Sequence, residues 1–145
     1  MITDRHTGEI LAAALFLQRR DPAVRDWPTI RLLDWLSHFW RRSQVGVVMH
    51  GHEVAAVGVA RCVASVEEAL TDPYAHHESP DIGCILWCDQ IASVHRLGLP
   101  ILLSQARDRF GPRSTVRGLV ANRRTEQRLL PWSRVELILK YNGLL

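Results

Sequence analysis

A continuous apolar stretch near the middle of the chain constrains the fold more than any other feature. Residues 81–92 read DIGCILWCDQIA, with no charged side chain between Asp81 and Asp89. A short apolar run of this kind predicts a strand over residues 82–91 that is buried on both faces. Burying the Asp89 carboxylate beside it costs several kcal/mol unless the group is paired or hydrogen-bonded. Asp89 is therefore either an acid held in place for function or the residue that closes the strand at its solvent end.

Length and composition predict a single soluble globular domain over residues 1–145. Hydrophobic residues make up 47% of the chain and charged residues 23%, which is ordinary for such a domain. No apolar run reaches the roughly 20 residues of a membrane span, and the N-terminus lacks a secretory signal pattern. The predicted location is the cytoplasm, or a phage particle assembled there. Three cysteines in apolar segments predict buried, reduced thiols, and no Cys/His cluster has the spacing of a metal site.

Basic residues are concentrated in the C-terminal third and are nearly all arginine. The net charge is +3, and Lys140 is the only lysine among 18 basic residues. A basic surface of this kind suits an acidic protein, a phosphorylated ligand or nucleic acid, and no motif supports nucleic acid. The alternative is a solvated face balanced by Asp108 and Glu126.

The periodicity of the chain predicts an α+β fold. Helical and strand patterns alternate in the order α-α-β-β-β-α-β-β, with a helical turn at 66–70 after the hairpin. Helices are predicted over 8–19, 29–42 and 97–110, and strands over 44–50, 53–64, 82–91, 115–120 and 132–141. This order resembles the acetyltransferase-like fold of the Gcn5-related superfamily. The resemblance implies a mixed, mainly antiparallel sheet flanked by helices, which splays open where the acyl donor enters.

The segment after the central strand resembles the donor-binding turn of that superfamily. There, an Arg/Gln-x-x-Gly-x-Gly/Ala motif at a helix N-terminus holds the pyrophosphate of coenzyme A. Residues 95–100, HRLGLP, keep an arginine and a glycine, but Pro100 has no N–H group to donate. The resemblance implies Arg96 and Gly98 as donor-binding residues of a changed acyl-donor site.

Residues 14–61 and 80–120 resemble the toxin-activating lysine acyltransferases, which fatty-acylate RTX toxins from acyl carrier protein. Residues 21–28, DPAVRDWP, are similar to their Ser-Pro-Leu-His-Arg-Asn-Trp-Pro signature, and residues 86–92, LWCDQIA, to their Phe-Ile-Asp-Trp-Ile-Ala run. The resemblance implies acyl transfer to a protein amine, with Asp89 at the functional aspartate. It implies no resident cofactor, since the acyl group arrives on acyl carrier protein or as acyl-CoA.

The chain departs from that family at the catalytic histidine, where Val24 stands. Valine cannot take a proton from the attacking lysine ammonium. His95, six residues after Asp89, is the histidine nearest the predicted donor entrance and is a second candidate base. Trp27 lies in a proline-containing turn and is a candidate groove residue.

Three arginines are predicted to meet an acidic acyl carrier protein, because complementary charge speeds such encounters. They are Arg107, Arg113 and Arg117. Two functions stay open: an acyltransferase-like enzyme, or a non-catalytic structural or interaction protein of the same fold. The second would be a pseudoenzyme, such as a phage virion-associated protein that contacts other virion proteins.

Overall fold

The computed structural model of the protein describes residues 4–71, 85–111, 116–121 and 127–145. The α+β prediction is confirmed, because these residues form a mixed five-stranded sheet flanked by helices. The elements are α1 Asp4–Arg20, α2 Thr29–Trp40, β1 Val45–His50, β2 Glu53–Val63, α3 Val66–Thr71, β3 Ile85–Ser93, α4 Gly98–Phe110, β4 Gly118–Ala121, β5 Leu129–Pro131 and α5 Trp132–Tyr141. Positions 82–84 of the predicted central strand lie outside the described residues.

The strands follow one another across the sheet in chain order, β1 to β5. Neighbouring pairs are antiparallel except β3 and β4, which run parallel and are joined through α4. A parallel pair needs such a crossover, whereas β1 and β2 need only a tight turn. Gly51 supplies that turn with a φ of 64°, a conformation that glycine adopts without strain. The predicted hairpin and the predicted strand-helix-strand unit are both confirmed.

The sheet splits on one side of β3. Pairing between β3 and β4 covers Leu86↔Leu119, Trp87↔Val120 and Cys88↔Ala121, while β3 continues along β2 as far as Ser93. At the same level Val59 faces Gln90 and Ala60 faces Cys88, so Asp89 is the extra residue of a β-bulge. Beyond Cys88, β3 therefore has a described strand neighbour, β2, on one side.

Helices cover both faces of the sheet. Alternate residues of β2 point to opposite faces, so Val57 and Val59 pack against α1 and α2, while Ala56 packs against α4. The α1/α2 layer buries four residues on one face of the second helix, namely Leu32, Trp35, Leu36 and Phe39. The α4/α5 layer packs Leu103, Phe110 and Trp132 against Cys62 and Leu86. In the described residues, no helix is both long and apolar enough to cross a membrane.

The prediction of a strand over residues 132–141 is wrong, because these residues form α5. Val135, Leu137 and Leu139 alternate with polar residues as in a strand, but Leu137 is 60% exposed. The buried residues are Trp132, Val135 and Leu139, whose spacing of three and four places them on one helical face. The fifth strand is the short segment before Trp132, and Pro131 occupies the N-cap of the helix.

Candidate functional site

A cavity of about 1040 Å³ lies where the sheet splits, on the side covered by α4 and α5. Parts of all five strands and of both helices line it, and its size suits a small-molecule ligand. Most lining side chains are apolar, including Leu99, Leu102, Leu103, Phe110, Leu119, Leu129 and Ile138.

Small residues on β1 and β2 set the depth of the cavity. A Cβ atom at Gly46 would lie 2.6 Å from Gln105 Oε1 and 2.9 Å from Leu102 Cδ2, so a larger residue there would displace the ends of these two α4 side chains. Gln105 Nε2 also donates a hydrogen bond to the Val47 carbonyl oxygen at 3.2 Å. At Gly58, in contrast, a Cβ atom would be 3.5 Å from Leu102, an ordinary contact distance. The space beside Gly58 and Ala60 is therefore not taken up by α4.

The polar groups of the cavity do not include an obvious base. Among the described lining residues are Arg109, Arg128, Arg134 and the thiol of Cys88, but no histidine, aspartate or glutamate. Burial, and after it the charge of Asp89, raises the pKa of the Cys88 thiol to about 12. Cys88 is therefore a neutral thiol near pH 7, not a prepared nucleophile.

The structure places Asp89 on the opposite face of β3 from Cys88. Its side chain is fully buried, and Arg61 Nε donates to Oδ2 at 2.8 Å while Arg61 Nη2 donates to Oδ1 at 3.4 Å. Trp87 Nε1 also donates to Oδ1, at 3.1 Å. Arg61 further donates to the Ala69 carbonyl oxygen of α3 at 3.1 Å. Asp89 thus belongs to a buried ion-pair network that joins β2, β3 and α3.

Sequence reasoning did not identify Arg61 as the partner of Asp89. The available signal was one arginine inside the otherwise apolar run EVAAVGVARCVA of β2. An arginine at such a position requires a buried acceptor, and Asp89 was the nearest acid in a buried strand.

The N-terminus of α4 is occupied by groups of the chain itself. Leu97 N donates to His95 Nδ1 at 3.1 Å, and Gly98 N donates to the His95 carbonyl oxygen at 2.9 Å. A Cβ atom at Gly98 would collide with Ser93 Oγ, so glycine is required for packing against β3. Pro100 has no N–H group. These residues leave few donors for a pyrophosphate, because the imidazole and the carbonyl group of His95 already accept hydrogen bonds from the N–H groups of Leu97 and Gly98.

His95 also lies beside a second histidine. Its ring centroid is 4.7 Å from that of His50, at the end of β1. Arg96 is exposed nearby. The structure therefore brings His95, Arg96 and Gly98 together at one end of α4, but not with Asp89.

Val24 and Trp27 belong to the α1/α2 layer. Val24 is fully buried in the core of that layer. The edge of Trp27 meets Trp35 at a centroid distance of 6.0 Å, and the Arg31 guanidinium lies 3.9 Å from the Trp27 ring centroid. Neither residue lines the cavity.

The three predicted carrier-binding arginines have different surroundings. Arg107 donates to Glu136 Oε1 through Nε at 3.2 Å and Nη2 at 3.0 Å, which joins α4 to α5. Arg117 is exposed just before β4, and Arg113 lies outside the described residues. The carrier-binding role of these arginines stays a prediction.

Comparison with known proteins adds evidence on the fold. No protein-family model matches the chain, and no curated protein is similar to it. A solved structure, the GphF GNAT-like decarboxylase in complex with isobutyryl-CoA, superposes with a TM-score of 0.55 at 15% sequence identity. The match covers 79% of this chain and 61% of that one, so the chain spans about three-fifths of that protein's length. The toxin-activating resemblance stays a prediction, while the predicted acetyltransferase-like fold is confirmed: the chain has a GNAT-like fold.

Proposed function

We propose that the protein is an acyltransferase-like protein that binds an acyl thioester, with the acyl chain in the cavity at the split of the sheet. The observation that carries this proposal is the apolar cavity of about 1040 Å³ beside the part of β3 that follows Cys88. Burial of each methylene group of an acyl chain there contributes about 0.8 kcal/mol. The similar GNAT-like decarboxylase, which was solved with isobutyryl-CoA, supports the choice of a thioester.

Acyl carrier protein is the donor we propose, in preference to coenzyme A. The N–H groups of Leu97 and Gly98 already have acceptors in His95, and Pro100 has none to give. A nucleotide pyrophosphate would therefore find few donors at the start of α4. A carrier protein needs no such site, and the exposed Arg117 suits its acidic surface.

Transfer of the acyl group to a protein amine, as in toxin activation, requires a group that takes a proton from the lysine ammonium, so that the neutral amine can attack the thioester and release the carrier thiol. Asp89 and His95 are the candidates from the sequence. The Asp89 carboxylate accepts hydrogen bonds from Arg61 and Trp87 inside the core, which supports a structural role more than proton transfer. His95 lies near the cavity residues Ser93 and Leu99 and is the better candidate of the two.

A non-catalytic acyl-binding or interaction protein is the second candidate function. It is favoured by the described cavity lining, which contains no histidine or carboxylate and one thiol with a raised pKa. Burial of Val24 in the α1/α2 core is also consistent with it, since that position offers no catalytic group.

Binding is tested with a neutral ligand, decanoyl-pantetheine, measured by isothermal titration calorimetry. We expect Ala60→Leu to weaken binding at least about tenfold, a loss of about 1.4 kcal/mol, because the larger side chain occupies the cavity. Ala12→Leu adds the same atoms at an exposed position of α1 and is the matched control. Equal affinity in both variants, or no binding to the wild-type protein, would contradict the proposal.

Transfer is tested with decanoyl-acyl carrier protein and a lysine-containing peptide, with mass spectrometry of both. A wild-type protein that binds the acyl chain but neither transfers nor hydrolyses it supports the non-catalytic function. If transfer occurs, we expect His95→Ala to reduce it at least about a hundredfold. An unchanged rate in that variant would exclude His95 as the base.

A further inference from the structure

Three arginines lie at one end of the cavity. Arg109 is in the last turn of α4, Arg128 comes directly before β5, and Arg134 is in the first turn of α5. The end of α4 meets the start of α5 directly, because Gly111 packs so closely on the Trp132 ring that a Cβ atom would collide with it. We call these three residues the arginine end of the cavity.

The described lining of the cavity is basic at the arginine end. It contains these three cations and no acidic side chain, and the nearby Glu136 of α5 is engaged by Arg107 at 3.0 Å. Arg128 and Arg134 are exposed, so their attraction for an anion is screened by water and salt. An anion placed among them would be attracted by all three.

The arginines do not need to be without protein contacts to bind a ligand. The Arg109 guanidinium, for example, lies 4.9 Å from the Phe110 ring centroid. A guanidinium has five N–H donors in a planar fork, so it can keep such a contact and still donate to a phosphate or carboxylate.

The start of α5 adds a second attraction for an anion at the same place. Leu130, Pro131 and Arg134 all line the cavity, so the first turn of this ten-residue helix is adjacent to it. No side-chain hydrogen bond caps that turn, and it contains no acidic residue. The positive end of the helix dipole and its uncapped N–H groups therefore favour a negative charge.

We propose that the arginine end binds the anionic head of an acyl ligand, a phosphate or a carboxylate, while the acyl chain extends towards Ser93 and Leu99. This inference rests on the proposed function. It orients the ligand with its charge at the C-terminal end of α4, because the N-terminal end is occupied by His95. The anion has two possible sources, the phosphate of a phosphopantetheine arm and the carboxylate of a free fatty acid.

The test compares two pairs of ligands by calorimetry. Decanoate is paired with methyl decanoate, and decanoyl-phosphopantetheine with neutral decanoyl-pantetheine. For at least one pair we expect the anionic member to bind wild-type protein about tenfold or more tightly, and this advantage to fall as salt is added. The double variant Arg109→Gln plus Arg134→Gln should lose the advantage but keep its affinity for the neutral ligands.

Arg19→Gln plus Arg20→Gln is the matched control, since it removes two exposed arginines from the end of α1. It should keep the full advantage of the anionic ligands. If the double variant does not fold, as judged by circular dichroism, Arg128→Gln alone replaces it and should reduce the advantage several-fold.

The outcomes identify the source of the anion, and they distinguish a failure of this inference from a failure of the proposed function. An advantage for decanoate identifies a fatty acid, and one for decanoyl-phosphopantetheine identifies a carrier arm. Neutral ligands that bind with no advantage for either anion, or an advantage equally lost in the control, would overturn this inference and leave the proposed function standing. If no decanoyl ligand binds, both proposals fail.

Discussion

The two layers of the protein differ in how they use the same sheet. The face covered by α1, α2 and α3 is filled with large side chains and holds the buried pair of Arg61 and Asp89, which also contacts α3. The α4/α5 layer instead faces small residues of β1 and β2 and retains a cavity of about 1040 Å³. Cys88 and Asp89 are neighbours in β3, yet one faces the cavity and the other faces the packed side. A buried acid in a sequence therefore does not by itself locate a binding site.

The largest effect is expected on the packed side. Asp89→Ala leaves Arg61 buried without its carboxylate partner, which should lower the free energy of unfolding by about 3–5 kcal/mol. Urea denaturation followed by tryptophan fluorescence measures the loss. Glu136→Ala breaks the half-exposed pair with Arg107 and should cost less than about 1 kcal/mol. A similar loss in both variants would mean that the buried Arg61–Asp89 pair contributes no more stability than the half-exposed Arg107–Glu136 pair.

At the start of α4, Gly98→Ala should lower the free energy of unfolding by about 1–3 kcal/mol, because the new methyl group collides with Ser93 Oγ. Ser93→Ala in the same protein should recover part of the loss. If Gly98→Ala unfolds like the wild type but binds decanoyl-phosphopantetheine more weakly, the glycine serves the ligand instead of helix packing.

Cys88 should make the protein less stable at alkaline pH. Its pKa is 9.0 without the fold and about 12 within it, so the folded state keeps a proton that the unfolded state loses. The stability contributed by the neutral thiol is complete below pH 9 and is lost as the pH rises from 9 towards 12. The loss is at most about 1.4 kcal/mol per pH unit, because a single proton is released. The measurement is urea denaturation of the wild type and of Cys88→Ala between about pH 8 and about pH 11, in steps of roughly half a pH unit. The free energy of unfolding should depend less steeply on pH in the variant. Parallel curves for the two proteins would contradict the raised pKa.

The smallest effect, of opposite sign, is expected inside the cavity. Gly58→Ala should raise the free energy of unfolding by about 0.5–1 kcal/mol, because a strand glycine costs conformational entropy and the new Cβ atom would make an ordinary contact with Leu102. Thermal and urea unfolding both measure the change. A destabilised variant would show that α4 packs on β2 as closely as α2 packs on the other face.

The fold could be predicted from the sequence where the local pattern was compatible with one type of secondary structure. The spacing of Leu32, Trp35, Leu36 and Phe39 places them on one helix face, and Gly51 fits a hairpin turn. The pattern of residues 132–141 was compatible with both a strand and a helix, because Val135 and Leu139 lie on one face in either structure. The burial of Trp132 against the Val116 carbonyl oxygen, a 2.8 Å contact, is tertiary information that the local pattern did not contain.

The site was less predictable than the fold. Asp89 was identified as a buried acid, but its pairing with Arg61 depends on the register of two strands across a bulge. The cavity depends on Gly46, Gly58 and Ala60 facing α4 together, although they lie on two strands. Sequence periodicity gives the face of each residue but not the space left between layers.

The order of the strands also has a consequence for how the molecule assembles. Since β1 to β5 lie side by side in chain order, the hairpin of β1 and β2 can form first and β3 can add to it. The parallel strand β4, with β5 and α5, must wait for the crossover through α4. We therefore expect the cavity walls formed by β4, β5 and α5 to be the last part to gain protection in pulsed hydrogen exchange and the first to open in the native state. A ligand that fills the cavity would then stabilise the C-terminal half of the fold, which forms last.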